Sequence, residues 1–237
     1  MPPQSPPGSP GSPGSPGSYG SPGSSGSPGS SGSPGSSSPG SSSFPGLPDP
    51  AAELARRVHQ TSHLTGTFVL RSGATSHEYF DKYRFESDPR LLREIAEAMA
   101  GLLPADADAL AGLELGGVPL ATVLSQVTGL PAGFVRKQAK PYGTRRLAEG
   151  FDVAGYQLVV VEDVVTSGGA VVESCRALRA EGAEVAVALC VIDRESGGPA
   201  NLAEIGVQLR PLFTMSQLAR FASASPESPA PSAPAGS

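Results

Sequence analysis

Leu158-Val159-Val160-Val161-Glu162-Asp163-Val164-Val165-Thr166-Ser167-Gly168-Gly169-Ala170 decides the fold of this chain. Its apolar start reads as a buried strand over 157–161, closed by two adjacent carboxylates. A short Thr/Ser/Gly turn follows, and then a helix expected over 169–181. Glu162 and Asp163 set two acceptors side by side, which suits neighbouring hydroxyls of a sugar. The small residues after them let backbone N–H groups close around a phosphate at a helix N-terminus, where the dipole also favours an anion. A sugar phosphate is the ligand that such a unit suits. The competing reading is an ordinary strand–turn–helix connection with polar residues at its bend. An acidic pair, Thr-Ser-Gly-Gly and apolar flanks in this order disfavour it.

On both sides of this unit, strand patterns alternate with helix patterns. Helices are expected over 51–62, 89–103 and 119–128, the second with Pro89 in its first turn. Strands are expected over 68–70, 79–82, 109–113, 132–135 and 185–192. A short helix, a further strand and a last helix from about residue 216 complete the order. Residues 137–150 are polar, charged and Gly-containing and read as a loop, long enough to suggest a functional lid. The alternation predicts an α/β fold: a single domain with a mostly parallel sheet flanked by helices. Ligands of such sheets bind beyond the carboxyl ends of the strands. Glu162, the segment Leu115, Gly116 and Gly117, Arg136, and Asp193 with Arg194 all fall at expected strand ends.

Composition divides the chain. Residues 1–49 are almost entirely Gly, Ser and Pro, and residues 223–237 are rich in Pro, Ala and Ser. Neither can bury enough apolar surface to offset chain entropy, so both are expected to be disordered around one domain over 50–222. Glycine recurs at every third position from Gly8 to Gly35, a collagen-like period, but the short uncharged run reads as a flexible linker. The net charge of −5 argues against a nucleic-acid partner for the chain as a whole. Basic residues do cluster at Arg136, Lys137, Lys140, Arg145 and Arg146, which fits a small polyanionic substrate. Cys175 and Cys190 sit in apolar-periodic segments and read as buried thiols. His59 and His63, four apart, read as an exposed helix face rather than a metal pair. No apolar run is long enough to span a bilayer, and the N-terminus has no signal-peptide pattern, so a cytoplasmic location is expected.

The quoted stretch resembles the phosphoribosyl-diphosphate (PRPP) binding motif of type I phosphoribosyltransferases. Two more segments resemble the orotate phosphoribosyltransferase branch. One is Phe68-Val69-Leu70-Arg71-Ser72-Gly73 followed by Tyr79-Phe80-Asp81. The other is Phe134-Val135-Arg136-Lys137-Gln138-Ala139-Lys140-Pro141-Tyr142-Gly143-Thr144, which is similar to that branch's mobile catalytic loop. Val191-Ile192-Asp193-Arg194 resembles its late strand end with an orotate-binding arginine. The resemblance spans about residues 54–221. It implies a pentosyltransferase that joins PRPP to orotate, in pyrimidine biosynthesis. Under it Arg136, Lys137 and Lys140 are catalytic, with Lys140 the candidate for the departing charge. PRPP is expected to meet Arg136, Lys137, Lys140, Tyr142, Glu162, Asp163, Val164, Val165, Thr166, Ser167, Gly168, Gly169 and Ala170. Orotate is expected to meet Thr166, Arg194, Tyr79 and Phe80. The resemblance further implies Mg²⁺, held through PRPP and water near Glu162 and Asp163 rather than by direct protein ligands, and a homodimer with shared sites.

The chain departs from the family pattern at three places. Gly116 stands where many members carry lysine, Ala74 and Thr75 where another lysine is common, and Tyr142 where a histidine often follows the catalytic lysine. Lys82 and Arg84 are the candidates to replace the missing cations. Two alternatives stay open at this point. One is a phosphoribosyltransferase for another base, against which the Arg-Lys-x-x-Lys loop and Arg194 argue. The other is a PRPP-binding regulatory protein without turnover.

Overall fold

The computed structural model describes residues 49–69, 73–138 and 147–223, all within one unit of the chain. The expectations for the two tails, and the placements of Lys140 and Tyr142, lie outside the described residues.

Aspartates start the first three helices. Asp49 caps α1 (Pro50–Ser62), Asp81 caps α2 (Lys82–Ser87) and Asp88 caps α3 (Pro89–Ala100). In each case a side-chain oxygen accepts from backbone N–H groups that have no partner within the helix. Asp88 serves two of them, at Arg90 and Leu91. Between α1 and α2 lies an antiparallel hairpin, β1 (His63–Val69) with β2 (Thr75–Phe80). The remaining elements are β3 (Ala109–Leu113), α4 (Gly117–Thr128), β4 (Ala132–Val135), β5 (Ala148–Glu149), β6 (Gln157–Val165), α5 (Gly169–Ala180), β7 (Glu184–Asp193), α6 (Gly198–Ala203), β8 (Gln208–Thr214) and α7 (Met215–Ser223).

The main sheet has the order β5-β4-β3-β6-β7-β8. Every pairing in it is parallel except β4 with β5. Two cores cover its faces, as the unbroken apolar runs in β6 and β7 require. One packs Val159, Val161, Leu189 and Val191 against α1, α3, α4 and α7. The other packs Leu158, Val160, Ala188 and Cys190 against α5 and α6. Val160, Val161, Leu189 and Val191 expose no surface, and each such side chain contributes about 1.5–3 kcal/mol by burial. Helix α4 seats closely because two glycines remove side chains from its contact with the sheet. A Cβ on Gly117 would meet the Val161 carbonyl oxygen at 2.2 Å, and one on Gly112 the Gly117 carbonyl oxygen at 2.6 Å. Among the described residues, no helix is long and apolar enough to cross a membrane.

The structure corrects five sequence readings. β6 does not end at its carboxylates but runs through them to Val165, with Val164 paired to Ile192 and Val165 to Asp193. Val161 packs in the α3/α4 core and Val165 in the opposite one, so strict two-residue alternation fails between them. That break hid the rest of the strand. Lys82 does not extend the second hairpin strand; it opens α2, a helix too short for periodicity to reveal. Helix α4 begins at Gly117, two residues before Pro119. The expected lid segment contains β5, which pairs back on β4. His59 and His63 do not form an exposed face: both are half-buried, and their rings stack 4.8 Å apart.

Candidate active site

Parallel strands place their carboxyl ends together. Leu113 lies opposite Val135, Gly112 opposite Val161, and Val165 opposite Asp193. The residues just beyond them therefore share one edge of the sheet. The β6–α5 turn is fixed from below. Gly168 has φ +78°, a left-handed conformation that a side chain would strain, and an added Cβ would also meet Leu202 at 2.5 Å. The Ser167 carbonyl accepts from Asn201 Nδ2 at 2.9 Å, and the Val165 carbonyl from the Arg194 N–H at 2.8 Å. Thr166, Ser167, Gly169 and Ala170 are left exposed. Val172 N–H is bonded to the Gly168 carbonyl, so the N–H groups of Gly169, Ala170 and Val171 precede the helical ladder, as at any helix start. The Val165 side chain is buried, and the Val164 side chain packs on the α3/α4 core. These two residues can offer a ligand little besides backbone.

Asp163 is fully buried. Its Oδ1 accepts from the Val164 N–H at 2.5 Å, and its Oδ2 lies 2.5 Å from Lys82 Nζ. Glu86 of α2 and Glu162 of β6 crowd the same carboxylate. Burial first, then Asp163, pushes Glu86 up to about 8 and Glu162 up to about 9. Burial works against Asp163 as well, but the neighbouring Glu162, Lys82 and Glu86 side chains hold it below the usual carboxylate range. The Lys82 ammonium is raised: burial opposes it, while the bond to Asp163 and the surrounding negative charge favour it. The folded protein therefore keeps protons on Glu86 and Glu162 that the unfolded chain releases at lower pH. Stability from these groups is present at low pH and is lost as pH rises toward their folded values. The melting temperature of the ligand-free protein is expected to fall from about pH 4.5 to about pH 9, the span between the ordinary and the folded values of these two groups. Glu162→Gln should flatten that fall, and an equally steep profile in the variant would count against the assignment.

At the end of β4, Arg136 is half-buried, and among the described residues its Nε has no hydrogen-bond partner. Its backbone N–H donates to the Leu147 carbonyl, and Lys137 N–H donates to Glu114 Oε1 at 2.5 Å. At the end of β7, Arg194 is exposed. The chain beyond it is held by Asp193, which accepts from Glu195 N–H, and by Glu195, which accepts from both the N–H and the hydroxyl of Ser216. On the hairpin, Tyr79 is exposed and its ring lies 5.4 Å from that of Phe68, whereas Phe80 packs partly against the α3/α4 core.

The structure thus brings the Thr166–Ala170 turn, Arg136, Lys137 and Arg194 to one sheet edge, with Glu162 and Asp163 in the strand that feeds the turn. Sequence reading missed the roles of Glu86, Glu114, Asn201, Glu195 and Ser216, all polar residues outside any motif. For α2 the available signal was Asp81, an N-cap residue directly after a strand. The carboxylate donors are hard oxygens, but among the described residues no three acidic, His or Cys side chains form a metal cluster.

Residues 84–205 match the phosphoribosyl transferase domain. A curated orotate phosphoribosyltransferase from Nocardioides sp. is 55% identical over 167 residues, which is 70% of this chain and 93% of that protein. Among solved structures, Mycobacterium tuberculosis orotate phosphoribosyltransferase in complex with Fe(III) dicitrate superposes with a TM-score of 0.66 at 33% identity, covering 72% of this chain and 99% of that one. The same enzyme in complex with PRPP gives 0.62 at 30% identity, with 72% and 99% covered. Identity this high over nearly the whole of a relative, with a solved orotate phosphoribosyltransferase sharing the fold, means that the chain belongs to the orotate phosphoribosyltransferase family.

Proposed function

We propose that the protein transfers the 5-phosphoribosyl group of PRPP to orotate, giving orotidine 5'-monophosphate and diphosphate on the route to pyrimidine nucleotides. The bond from ribose C1 to the diphosphate oxygen breaks, a bond from C1 to orotate N1 forms, and the N1 proton passes to water or to the departing diphosphate. Positive charge grows on the ribose and negative charge on the leaving group, so catalysis rests on prepositioned phosphate donors and cations. The N–H groups and hydroxyls of Thr166, Ser167, Gly168, Gly169 and Ala170 take the 5'-phosphate, with Val164 and Val165 contributing backbone. Glu162 and Asp163 orient the ribose hydroxyls. Arg136, Lys137 and Lys140 meet the diphosphate, with Tyr142 nearby in the same segment. Arg194 pairs with the orotate carboxylate in the bidentate geometry that suits a guanidinium. Tyr79, Phe80 and Thr166 bound the base. A bound Mg²⁺ supplies neutralisation of the diphosphate charge, near Glu162 and Asp163. The working unit is a homodimer in the cytoplasm.

The observation that carries this reading is the convergence of the Thr166–Ala170 turn, the buried and unpaired Arg136 Nε and the exposed Arg194 on one sheet edge. Purified protein with PRPP and Mg²⁺ is expected to consume orotate, seen as loss of orotate absorbance. Transfer to a purine or to uracil instead would overturn the choice of base. The domain over 50–222 carries the activity, so removing residues before Pro48 is expected to leave kcat within about twofold. A large loss of kcat in the truncated protein would assign those residues a part in the site.

A further inference from the structure

Lys82 lies outside every motif that marks the site, yet its ammonium reaches into the site's most buried charge. Asp163 has no exposed surface, and Lys82 Nζ ion-pairs with its Oδ2 at 2.5 Å. The carboxylate has little freedom. Oδ1 is taken by the Val164 N–H, Glu86 Oε1 is buried beside it without a hydrogen-bond partner, and the Gly116 backbone closes the remaining side. A cation on the Gly116 side is sterically barred, because even a Cβ there would lie 1.6 Å from Oδ2. The positive charge comes instead from α2. Three carboxyl groups press together here, and with Glu86 and Glu162 holding their protons the buried negative charge falls on Asp163, which Lys82 meets as its cation. The Lys82 side chain keeps 32% of its surface exposed, so it spans from the buried carboxylate to the open edge.

Its place in the chain adds a connection. Phe80 closes the hairpin opposite His63, Asp81 N–H donates to the Ser62 carbonyl and caps α2, and Lys82 is the first residue of that helix. One residue, Asp81, therefore separates Phe80, read as base-facing, from the clamp on the ribose-facing carboxylate. We propose that Lys82 is a positioning residue of the phosphoribosyl site, holding the Asp163 carboxylate in one orientation and tying the Tyr79–Phe80 hairpin to β6. The inference rests on the reading of Asp163 as a ribose-orienting group.

A double-mutant cycle on PRPP affinity tests it, using the full chain with Mg²⁺ and no orotate, by calorimetry, with melting curves on each variant. Lys82→Met is expected to weaken PRPP binding by about 10- to 100-fold, the usual cost of removing a partner that orients a binding group. Lys82→Arg should recover the larger part, because the charge is kept. If Lys82 acts through Asp163, Lys82→Met should add little once Asp163→Asn is in place. Wild-type PRPP affinity in a folded Lys82→Met protein overturns the proposal, and so does an undiminished loss in the Asp163→Asn background. Should Lys82→Met fail to fold because Asp163 is left unpaired, the double variant leaves no unpaired charge. Compared with Asp163→Asn it still decides: equal affinity is the expected result, and a further loss overturns the proposal. Orotate turnover by the wild-type protein is measured in parallel. Its absence with PRPP bound would overturn the orotate reading alone, while the PRPP cycle still decides Lys82.

Discussion

Lys140→Ala is expected to lower kcat for orotidine 5'-monophosphate formation by about 10²- to 10³-fold, the scale of losing one prepositioned charge-stabilising group. The loss should fall on kcat more than on the KM for PRPP, because diphosphate gains its full charge only as the C1–O bond breaks. The segment bearing Lys140 leaves the site edge at Arg136 and returns at Leu147. Both ends are pinned there by backbone bonds, with Val135 opposite Ala148 and Arg136 N–H on the Leu147 carbonyl. None of these bonds needs the Lys140 side chain, so the melting temperature should not move. Arg136→Ala makes the contrast. That side chain is half-buried with a buried, unpaired Nε donor, and its loss should raise the KM for PRPP as well as lower kcat. Steady-state kinetics over PRPP concentration separate the two. A Lys140→Ala enzyme with kcat within about threefold of wild type would remove Lys140 from the catalytic step.

The part of this site that was legible in the sequence is the part made by contiguous residues. A phosphate turn needs small residues in a row before a helix, and Thr166 to Ala170 supply them. The strand ends were legible because parallel sheets gather them, so Arg136 and Arg194 could be placed from periodicity alone. Asp163 was read as a ribose ligand at the end of a strand. Its burial and its partners were not readable, because they come from three separate segments: Lys82 and Glu86 on α2, Gly116 before α4, and Val164 beside it in β6. A six-residue helix gives too few turns for a 3.6-residue period, so α2 merged with the preceding strand. Gly116 was noted for a lysine that it lacks. Its physical significance, the absence of any volume beside a buried carboxylate, became visible only with β6 and α4 in contact.

That crowding makes Gly116→Ala a strongly damaging small substitution. The backbone at Gly116 is right-handed, φ −69° and ψ −29°, so alanine meets no torsional obstacle there. The obstacle is packing. The new Cβ would sit 1.6 Å from Asp163 Oδ2, 2.4 Å from its Cγ and 2.7 Å from Glu86 Oε1. Relief requires the buried Asp163 to rotate away from Lys82, or α4 to lift from β6, where Gly117 already approaches the Val161 carbonyl. Overpacking of a tight site costs about 1–3 kcal/mol, and parting a buried ion pair about 3–5 kcal/mol. A loss of at least about 3 kcal/mol of unfolding free energy is expected, together with loss of PRPP binding. Gly129→Ala, at the other end of α4, supplies the control. It stands at φ +79° with nothing within 4 Å of an added Cβ, so only the left-handed conformation is penalised, by about 1–2 kcal/mol. PRPP affinity should survive there. Gly116→Lys, which restores the side chain common in the family, should fare no better than alanine, because its Cβ meets the same carboxylate. Here the cation stands on α2, and a second one beside Asp163 has no room. Denaturant melts of the two alanine variants, with PRPP titrations, decide the matter: if Gly116→Ala is as stable as Gly129→Ala and still binds PRPP, the Asp163 carboxylate does not lie against Gly116.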